Sequence, residues 1–319
     1  MRFMGYEPSR QVSNIVVDGA PNESTVLALT HWPGIPQPPG LGADLSAEMA
    51  FRYLDQGPAH PAADVVTNNH FDQDGLVSVH ALVDPEPSMR HRELLTDVAA
   101  AGDFATYRFR DAARASMTIA RMGETLDHGD ATAVAETYER ALSELLALVL
   151  DPMTSRDAWA EEDDALSSSE RAIADGLVTI TEHDAVGLAV VEIPESLDLE
   201  GGHRFGGARF EGIHPMAINN ATRCLRLLLV RGRRYRFTDR YETWVQMRSR
   251  PFPRRVDLGP LAETLTSLEP TATAWSAQGP GTLTPTMEHS GESSLESGRV
   301  VRTVVQHLSS APAAWNPFP

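Results

Sequence analysis

Apolar positions in the first third of the chain switch between short unbroken runs and helix-spaced stripes. Asn14 to Asp18 and Thr25 to Thr30 read as two short strands, and the second ends in His31-Trp32-Pro33-Gly34 before a proline-rich loop through Gly40. Ala47, Phe51 and Leu54 then recur at three- and four-residue spacing, which predicts a helix capped by Asp44 or Ser46 and stopped by Gly57-Pro58. Val65, Val66 and Thr67 are β-formers leading to His70, and Leu76 to Val83 read as a helix after Gly75. Pro85 to Pro87 interrupt it, and Glu93 to Ala101 form another helix that stops at Gly102-Asp103. Asp111 to Met122, Ala131 to Leu150 and Ser155 to Ile173 repeat the helical spacing, with Glu161 to Asp164 expected as an outward, solvated acidic face. Strands alternating with helices predict an α/β fold: a mostly parallel open sheet flanked by helices.

The pattern changes near Gly176. Val178 to Thr181, Gly187 to Ile193, Cys224 to Val230, Arg234 to Thr238 and Glu242 to Met247 read as strands. From Thr271 onward Thr, Ser, Pro and Gly accumulate, with one helical piece at Arg299 to Leu308. The expected organisation is an α/β core over residues 1–180 and a smaller, mixed α/β and β-rich C-terminal domain over 181–270 that covers the sheet edge. A Pro/Ser/Thr-rich extension over 271–319 follows. No internal repeat is visible.

Composition narrows the function more than the fold. With 319 residues and 42% hydrophobic content the chain can bury a sizeable core. A formal net charge of -17 speaks against general double-stranded nucleic-acid binding, which needs a basic surface. All 27 basic residues are arginine, so a P-loop lysine, a Schiff-base lysine and a serine-lysine dyad are excluded. The single Cys224 lies in an apolar run and reads as a buried, inert thiol. The first residues, Met1 to Asn14, lack a signal-peptide pattern and no run approaches 18 apolar residues, so the expectation is a cytoplasmic protein without a membrane span.

The densest chemistry is Asn69-His70-Phe71-Asp72-Gln73-Asp74-Gly75, one imidazole and two carboxylates within five positions after a strand. Extended alternation would put His70, Asp72 and Asp74 on one side, converging beyond the strand end, where open α/β sheets bind ligands. Such a donor set suits Mn²⁺, Fe²⁺ or Zn²⁺, and its carboxylates alone suit Mg²⁺. The plain alternative is an Asx-rich turn in which Asp74 caps the following helix without a metal. His31 ends a strand as His70 does, so adjacent parallel strands would bring both imidazoles to one edge, His31 serving as ligand or donor, or simply as a packed turn residue.

The segment His70-x-Asp72-x-Asp74-Gly75-x-x-Ser78 resembles the first motif of the DHH phosphoesterase superfamily. That resemblance implies a strand-end site for a pair of divalent metals, commonly manganese, with His70, Asp72 and Asp74 as ligands. Gly201-Gly202-His203-Arg204-Phe205-Gly206-Gly207 is similar to the superfamily's glycine-histidine loop, which implies that Gly202, His203 and Arg204 meet the substrate phosphate; read by itself it is also a flexible hairpin connection. No Asp-His-His triplet occurs; Asp127-His128-Gly129-Asp130 is the nearest segment and also reads as a polar turn, and Asp103 takes the place of an isolated aspartate motif. Over its whole length the chain resembles an actinobacterial family of unknown function, through His31-Trp32-Pro33-Gly34, Asn68 to Leu76 and Tyr241-Glu242-Thr243-Trp244-Val245-Gln246.

Thirteen arginines fall between Arg204 and Arg255. Among them Arg231, Arg233, Arg234 and Arg236 offer a clamp for a phosphate or carboxylate, with Arg234 and Arg236 on one strand face, or else a salt-bridged surface. No Gly-x-Ser-x-Gly elbow, His-Glu-x-x-His, Cys-x-x-Cys pair or strand-following Gly-x-Gly-x-x-Gly occurs. The resulting expectation is a divalent-metal-dependent hydrolase, a phosphoesterase acting on a small phosphorylated or nucleotide substrate. Its ligands would be His70, Asp72, Asp74, Asp103 and Asp127, with His31 assisting and a homodimer as the expected assembly. The same residues would serve hydrolysis of an amide or other C–N bond, or a non-catalytic scaffold with a small-molecule pocket.

Overall fold

The computed structural model describes residues 1–197, 212–270 and 274–319. The described residues form a mixed α/β protein of eleven α-helices and two sheets, one of four strands and one of six. They divide into two compact units. The first holds Met1–Asp163 with Val245–Ser249 and Phe318–Pro319, and the second Asp164–Trp244 with Arg250–Pro317. None of the described helices is long and apolar enough to cross a membrane.

In the first unit the chain runs β1 (Arg2–Phe3), α1 (Tyr6–Ser9), β2 (Asn14–Val17), β3 (Thr25–Leu29), α2 (Ser46–Gln56), β4 (Val65–Thr67) and α3 (Gln73–Val83). It continues through α4 (Pro85–Arg90), α5 (Arg92–Asp103), α6 (Arg110–Gly123), α7 (Ala131–Leu150) and the start of α8 (Arg156–Ala174). The sheet order is β1-β4-β2-β3, every pair parallel. β2 is buried along its whole length, as a central parallel strand must be, and α2 and α3 pack against it. Only residues 18–24 join β2 to its parallel neighbour β3. Strands this short need no helical crossover, because an extended heptapeptide spans about 23 Å and a five-residue strand only about 17 Å.

The second unit contains the end of α8, β5 (Thr179–His183), β6 (Leu188–Glu192), α9 (Pro215–Ala221), β7 (Arg226–Arg231) and β8 (Arg234–Asp239). It ends with α10 (Gly259–Leu268), β9 (Trp275–Ala277), β10 (Thr286–His289) and α11 (Ser297–Ser310). Its sheet runs β5-β6-β7-β8-β10-β9, antiparallel except for the β6–β7 pair. Alternation sends Leu188, Val190, Leu228 and Val230 to one core with Leu261 and Leu265 of α10 and Val300, Val304 and Leu308 of α11. The intervening Ala189, Val191, Leu227 and Leu229 go to a second core with Ile213, Ile218 and Ala172. Each fully buried Leu or Val contributes roughly 1.5–3 kcal/mol, so a sheet covered on both faces is well supplied.

Several expectations need correction. Glu242 to Met247 are not a strand; Tyr241–Thr243 form a 3-10 turn and the rest is irregular. The acidic face of α8 is not solvated throughout: Glu162 and Asp163 are buried, and Asp163 accepts from Arg110 Nε at 2.6 Å and Arg114 Nη2 at 3.2 Å. The arginine-rich segment is partly interior. Arg255 is fully buried and donates to Thr243 Oγ1 at 2.6 Å, to the Pro280 carbonyl at 2.8 Å and to the Leu283 carbonyl at 2.6 Å, so it ties turns together. Arg226 likewise reaches the carbonyls of Val186 and Arg254 at 2.7 and 2.6 Å.

Candidate metal centre

Three strands of the parallel sheet deliver the site. Asp18 directly follows β2, His31 lies two residues beyond β3, and Asn68, Asn69 and His70 follow β4. Because these strands run the same way, their C-terminal ends share one edge. Asp18 adopts φ +44°, the left-handed region that aspartate tolerates better than most residues, and so turns the chain at that edge. The remaining donors come from helices: Asp72 precedes α3, Asp74 lies in its first turn, and Asp103 ends α5.

Side-chain atoms of these residues form two groups, each close enough to hold one ion. Asp18, His31, Asp74 and Asp103 make the first, and Asp18, His70 and Asp72 the second, so Asp18 belongs to both. His31 Nε2 lies 3.4 Å from Asp18 Oδ1, 3.3 Å from Asp103 Oδ2 and 4.0 Å from Asp74 Oδ2. On the other side His70 Nε2 lies 2.8 Å from Asp72 Oδ2 and 3.4 Å from Asp18 Oδ2. The first group is buried, whereas the side chains of His70 and Asp72 are 21% and 30% exposed and form the open side. The Trp32 ring flanks that side, 5.2 Å from the His70 ring centroid.

Local hydrogen bonds hold the donors in place. Ser46 Oγ donates to Asp18 Oδ1 at 2.9 Å, while the buried Asp18 Oδ2 accepts no hydrogen bond and faces His70. Asp74 accepts the backbone N–H groups of Ser46 and Ala47 at 2.7 and 2.8 Å, capping the N-terminus of α2 from another helix. Asp72 accepts from Gly75 N at 2.8 Å and is the N-cap of α3. His31 Nδ1 sits 2.5 Å from the carbonyl of Asp44, an acceptor only, so Nδ1 carries a proton and the ring turns Nε2 toward three carboxylates. A histidine held in this way is the usual arrangement for a metal ligand.

The electrostatics are strained. Burial, then the charge of Asp72, raises the Asp18 carboxyl. Burial together with Asp18 and Asp72 lifts Asp74 well above the ordinary range, although the Ala47 and Ser46 amides oppose the lift. For His70, burial works to lower the imidazole, but Asp72 and Asp18 outweigh it and hold it well above its usual value. Burial also works against the Asp72 charge, yet His70 and the Gly75 amide bring that group to about 2. Crowded carboxylates, an oxygen without a donor and an imidazole pointing at them are the chemistry of a cation site.

The fold thus gathers His31, His70, Asp72, Asp74 and Asp103, but by a different route from strand alternation. β4 stops at Thr67, residues 68–72 turn, and α3 begins at Gln73, ahead of Gly75. Gly75 is itself helical, and a Cβ there would lie 2.3 Å from Asn68 Nδ2 and 2.5 Å from Tyr138 Oη. The cap of α3 is Asp72, not Asp74. Asp127 does not join either group: it is exposed in the turn before α7, where its Oδ1 accepts from Gly129 N at 2.9 Å. Arg234 and Arg236 lie on β8 in the second unit, and Arg236 Nε pairs with Glu288 at 3.0 Å. Arg231 and Arg233 spend donors on backbone carbonyls, of Leu197 at 2.7 Å and of Ser294 at 2.6 Å. Gly202, His203 and Arg204 lie outside the described residues. Asp18 escaped the sequence reading, although Val16-Val17-Asp18-Gly19 carries the same signal as the histidines, a polar donor immediately after an apolar strand.

No curated protein and no solved structure matches the chain. Residues 1–319 match a family of unknown function, and the chain therefore belongs to that family, DUF6687.

Proposed function

We propose that this protein is a divalent-metal-dependent hydrolase, a phosphoesterase acting on a small phosphorylated or nucleotide substrate. The observation that carries the metal reading is the Asp18-centred cluster, where two imidazoles and four carboxylates converge at the C-terminal edge of a parallel sheet. His31, Asp74 and Asp103 would hold one cation with Asp18, and His70 and Asp72 a second, with Asp18 shared. Manganese suits the mixed imidazole and carboxylate set, as do iron and zinc, and magnesium suits the carboxylates. When bound, such ions supply Lewis acidity toward a phosphoryl oxygen and ionise water near neutral pH. Phosphoryl chemistry is favoured over other hydrolyses by the likeness of His70-x-Asp72-x-Asp74-Gly75 to the first DHH motif.

The protein's own groups divide the remaining work. The Asp44 carbonyl orients His31, the Ser46 hydroxyl fixes Asp18 Oδ1, and the α2 amides hold Asp74. Substrate enters on the His70–Asp72 side, beside Trp32, because the first group is enclosed. Metal analysis of protein purified without chelator, followed by a panel of phosphodiesters, pyrophosphate and short oligonucleotides with Mn²⁺, tests the assignment. Stoichiometric metal and turnover of a panel member are expected. Bound metal with no turnover moves the assignment to amide or C–N hydrolysis, and absence of metal moves it to a non-catalytic scaffold.

A further inference from the structure

His31 stands in a stretch with no secondary structure of its own. Residues 30–45 run through Pro33, Gly34, Pro36, Pro38, Pro39, Gly40 and Gly42, and such a loop does not hold a ligand to the fraction of an ångström that a metal site requires. Hydrogen bonds from more than 200 positions away help to hold it. Gln246, fully buried, donates its backbone N–H to the His31 carbonyl at 2.9 Å, and its side-chain Nε2 donates to both the Trp32 and the Ile35 carbonyls at 2.6 Å. Asp44, whose carbonyl receives the His31 ring, accepts at its carboxylate from Arg248 N at 2.5 Å, Ser249 N at 2.9 Å and the Ser249 hydroxyl. Gln37 completes the frame: its Nε2 reaches the Ala43 carbonyl at 3.0 Å, and its Oε1 accepts from Arg248 Nε at 2.8 Å.

We propose that Val245–Ser249 is a clamp, with Gln246 its positioning residue, that sets the cation affinity of the His31 group specifically. The proposal rests on the metal reading above. One primary amide facing two carbonyls is a donor arrangement that a carboxylate of the same shape reverses, since glutamate would set oxygen against oxygen. None of these hydrogen bonds falls on His70 or Asp72, which are held by the Asn68 side chain on His70 N at 3.1 Å and by the Gly75 amide on Asp72; only the Trp32 ring, 5.2 Å from His70, lies between the clamp and that side. A defect in the clamp therefore acts on one cation and leaves the other. Loss of an outer-shell partner lowers metal affinity by about 10–100-fold.

The test is a Mn²⁺ titration of the full chain, reading unbound Mn²⁺ by electron paramagnetic resonance, with circular dichroism to verify folding. Wild type is expected to bind two equivalents, and Gln246→Glu one with unchanged affinity and one weakened by about 10–100-fold. Wild-type affinity for both in folded Gln246→Glu, or equal weakening of both, overturns the clamp while leaving the metal reading intact. Failure of wild type to bind any Mn²⁺ removes both. Should Gln246→Glu not fold, Asp44→Asn keeps the carbonyl that receives His31 but loosens the hold on residues 248 and 249. It must then shift the same single equivalent in the same direction, and unchanged binding by that variant overturns the clamp equally.

Discussion

Asp18 Oδ2 faces His70 Nε2 at 3.4 Å without accepting a hydrogen bond, while the other oxygen of the same carboxylate lies at an equal distance from His31 Nε2. One buried side chain thus touches both imidazoles, and it does so from a left-handed backbone position. Asparagine tolerates that position as well as aspartate, so Asp18→Asn changes the donor without disturbing the turn. This variant should weaken both equivalents of Mn²⁺ by more than about 100-fold, beyond the loss of an outer-shell partner. Asp103→Asn should weaken only one. Calorimetric titration of the two variants checks this, and wild-type binding by Asp18→Asn would remove the shared-ligand geometry.

Cation binding should also register as stability. The cluster buries carboxylates beside one another, and Asp18 and Asp74 are raised first by that burial and then by the charge of their acidic neighbours. An ion bound only by the folded chain stabilises it by about 2.7 kcal/mol at a hundredfold excess over its Kd. Adding Mn²⁺ to chelator-treated protein should raise Tm, and Asp18→Asn should lose most of the rise. A Tm that is indifferent to Mn²⁺ in wild type contradicts the site.

Gly75→Ala should destabilise, against helix propensity. Alanine is favoured over glycine inside a helix by about 1 kcal/mol. Here its methyl would meet Asn68 Nδ2 at 2.3 Å and Tyr138 Oη at 2.5 Å, and neither yields easily. Both neighbours are buried, and Tyr138 is stacked on Phe3 at 4.9 Å and edge-on to Phe71 at 5.2 Å. Overpacking of this kind costs about 1–3 kcal/mol, and it also shifts the amide that holds Asp72. Urea denaturation with the midpoint lowered relative to wild type is the expected result; a raised midpoint would show that the helix term dominates.

Much of this site could be read from residues alone, for one physical reason. His31, His70, Asp72 and Asp74 follow apolar strand-forming runs, and polar groups placed there reach the edge of a parallel sheet whatever the tertiary details. Asp18 has the same placement, but an Asp-Gly pair after a strand is also an ordinary turn signature, and that masks it. Gln246 carried no such mark. Its partners are decided by packing between segments 214 positions apart, and the local pattern from Glu242 to Met247 imitates a strand. Burial of Asp163 was hidden similarly, since its two arginine partners come from α6. β1, with two residues, is too short for a run to register, and β9 and β10 lie in the stretch after Thr271 where Thr, Ser, Pro and Gly obscure the apolar pattern.

In the second unit Glu269 predicts an acid-sensitive step. It follows α10, and its carboxylate accepts from Trp275 Nε1 at 3.2 Å, from the Ser293 and Ser294 hydroxyls at 2.5 Å and from Ser294 N at 3.0 Å. Burial works to raise this carboxyl, but the serine and tryptophan donors outweigh it and bring it from 4.5 to about 2. With the folded value below the unfolded one, the ionised group stabilises the protein fully above about pH 4.5. That contribution disappears as pH falls from there through about 2, amounting to at most about 3 kcal/mol. Glutamine keeps the shape but offers one acceptor oxygen in place of two. Glu269→Gln should be less stable than wild type at neutral pH, and the gap between the two should close between pH 4.5 and 2. Parallel denaturation curves across that interval measure the gap; a constant difference would mean that the serines bind the neutral acid as well as its anion.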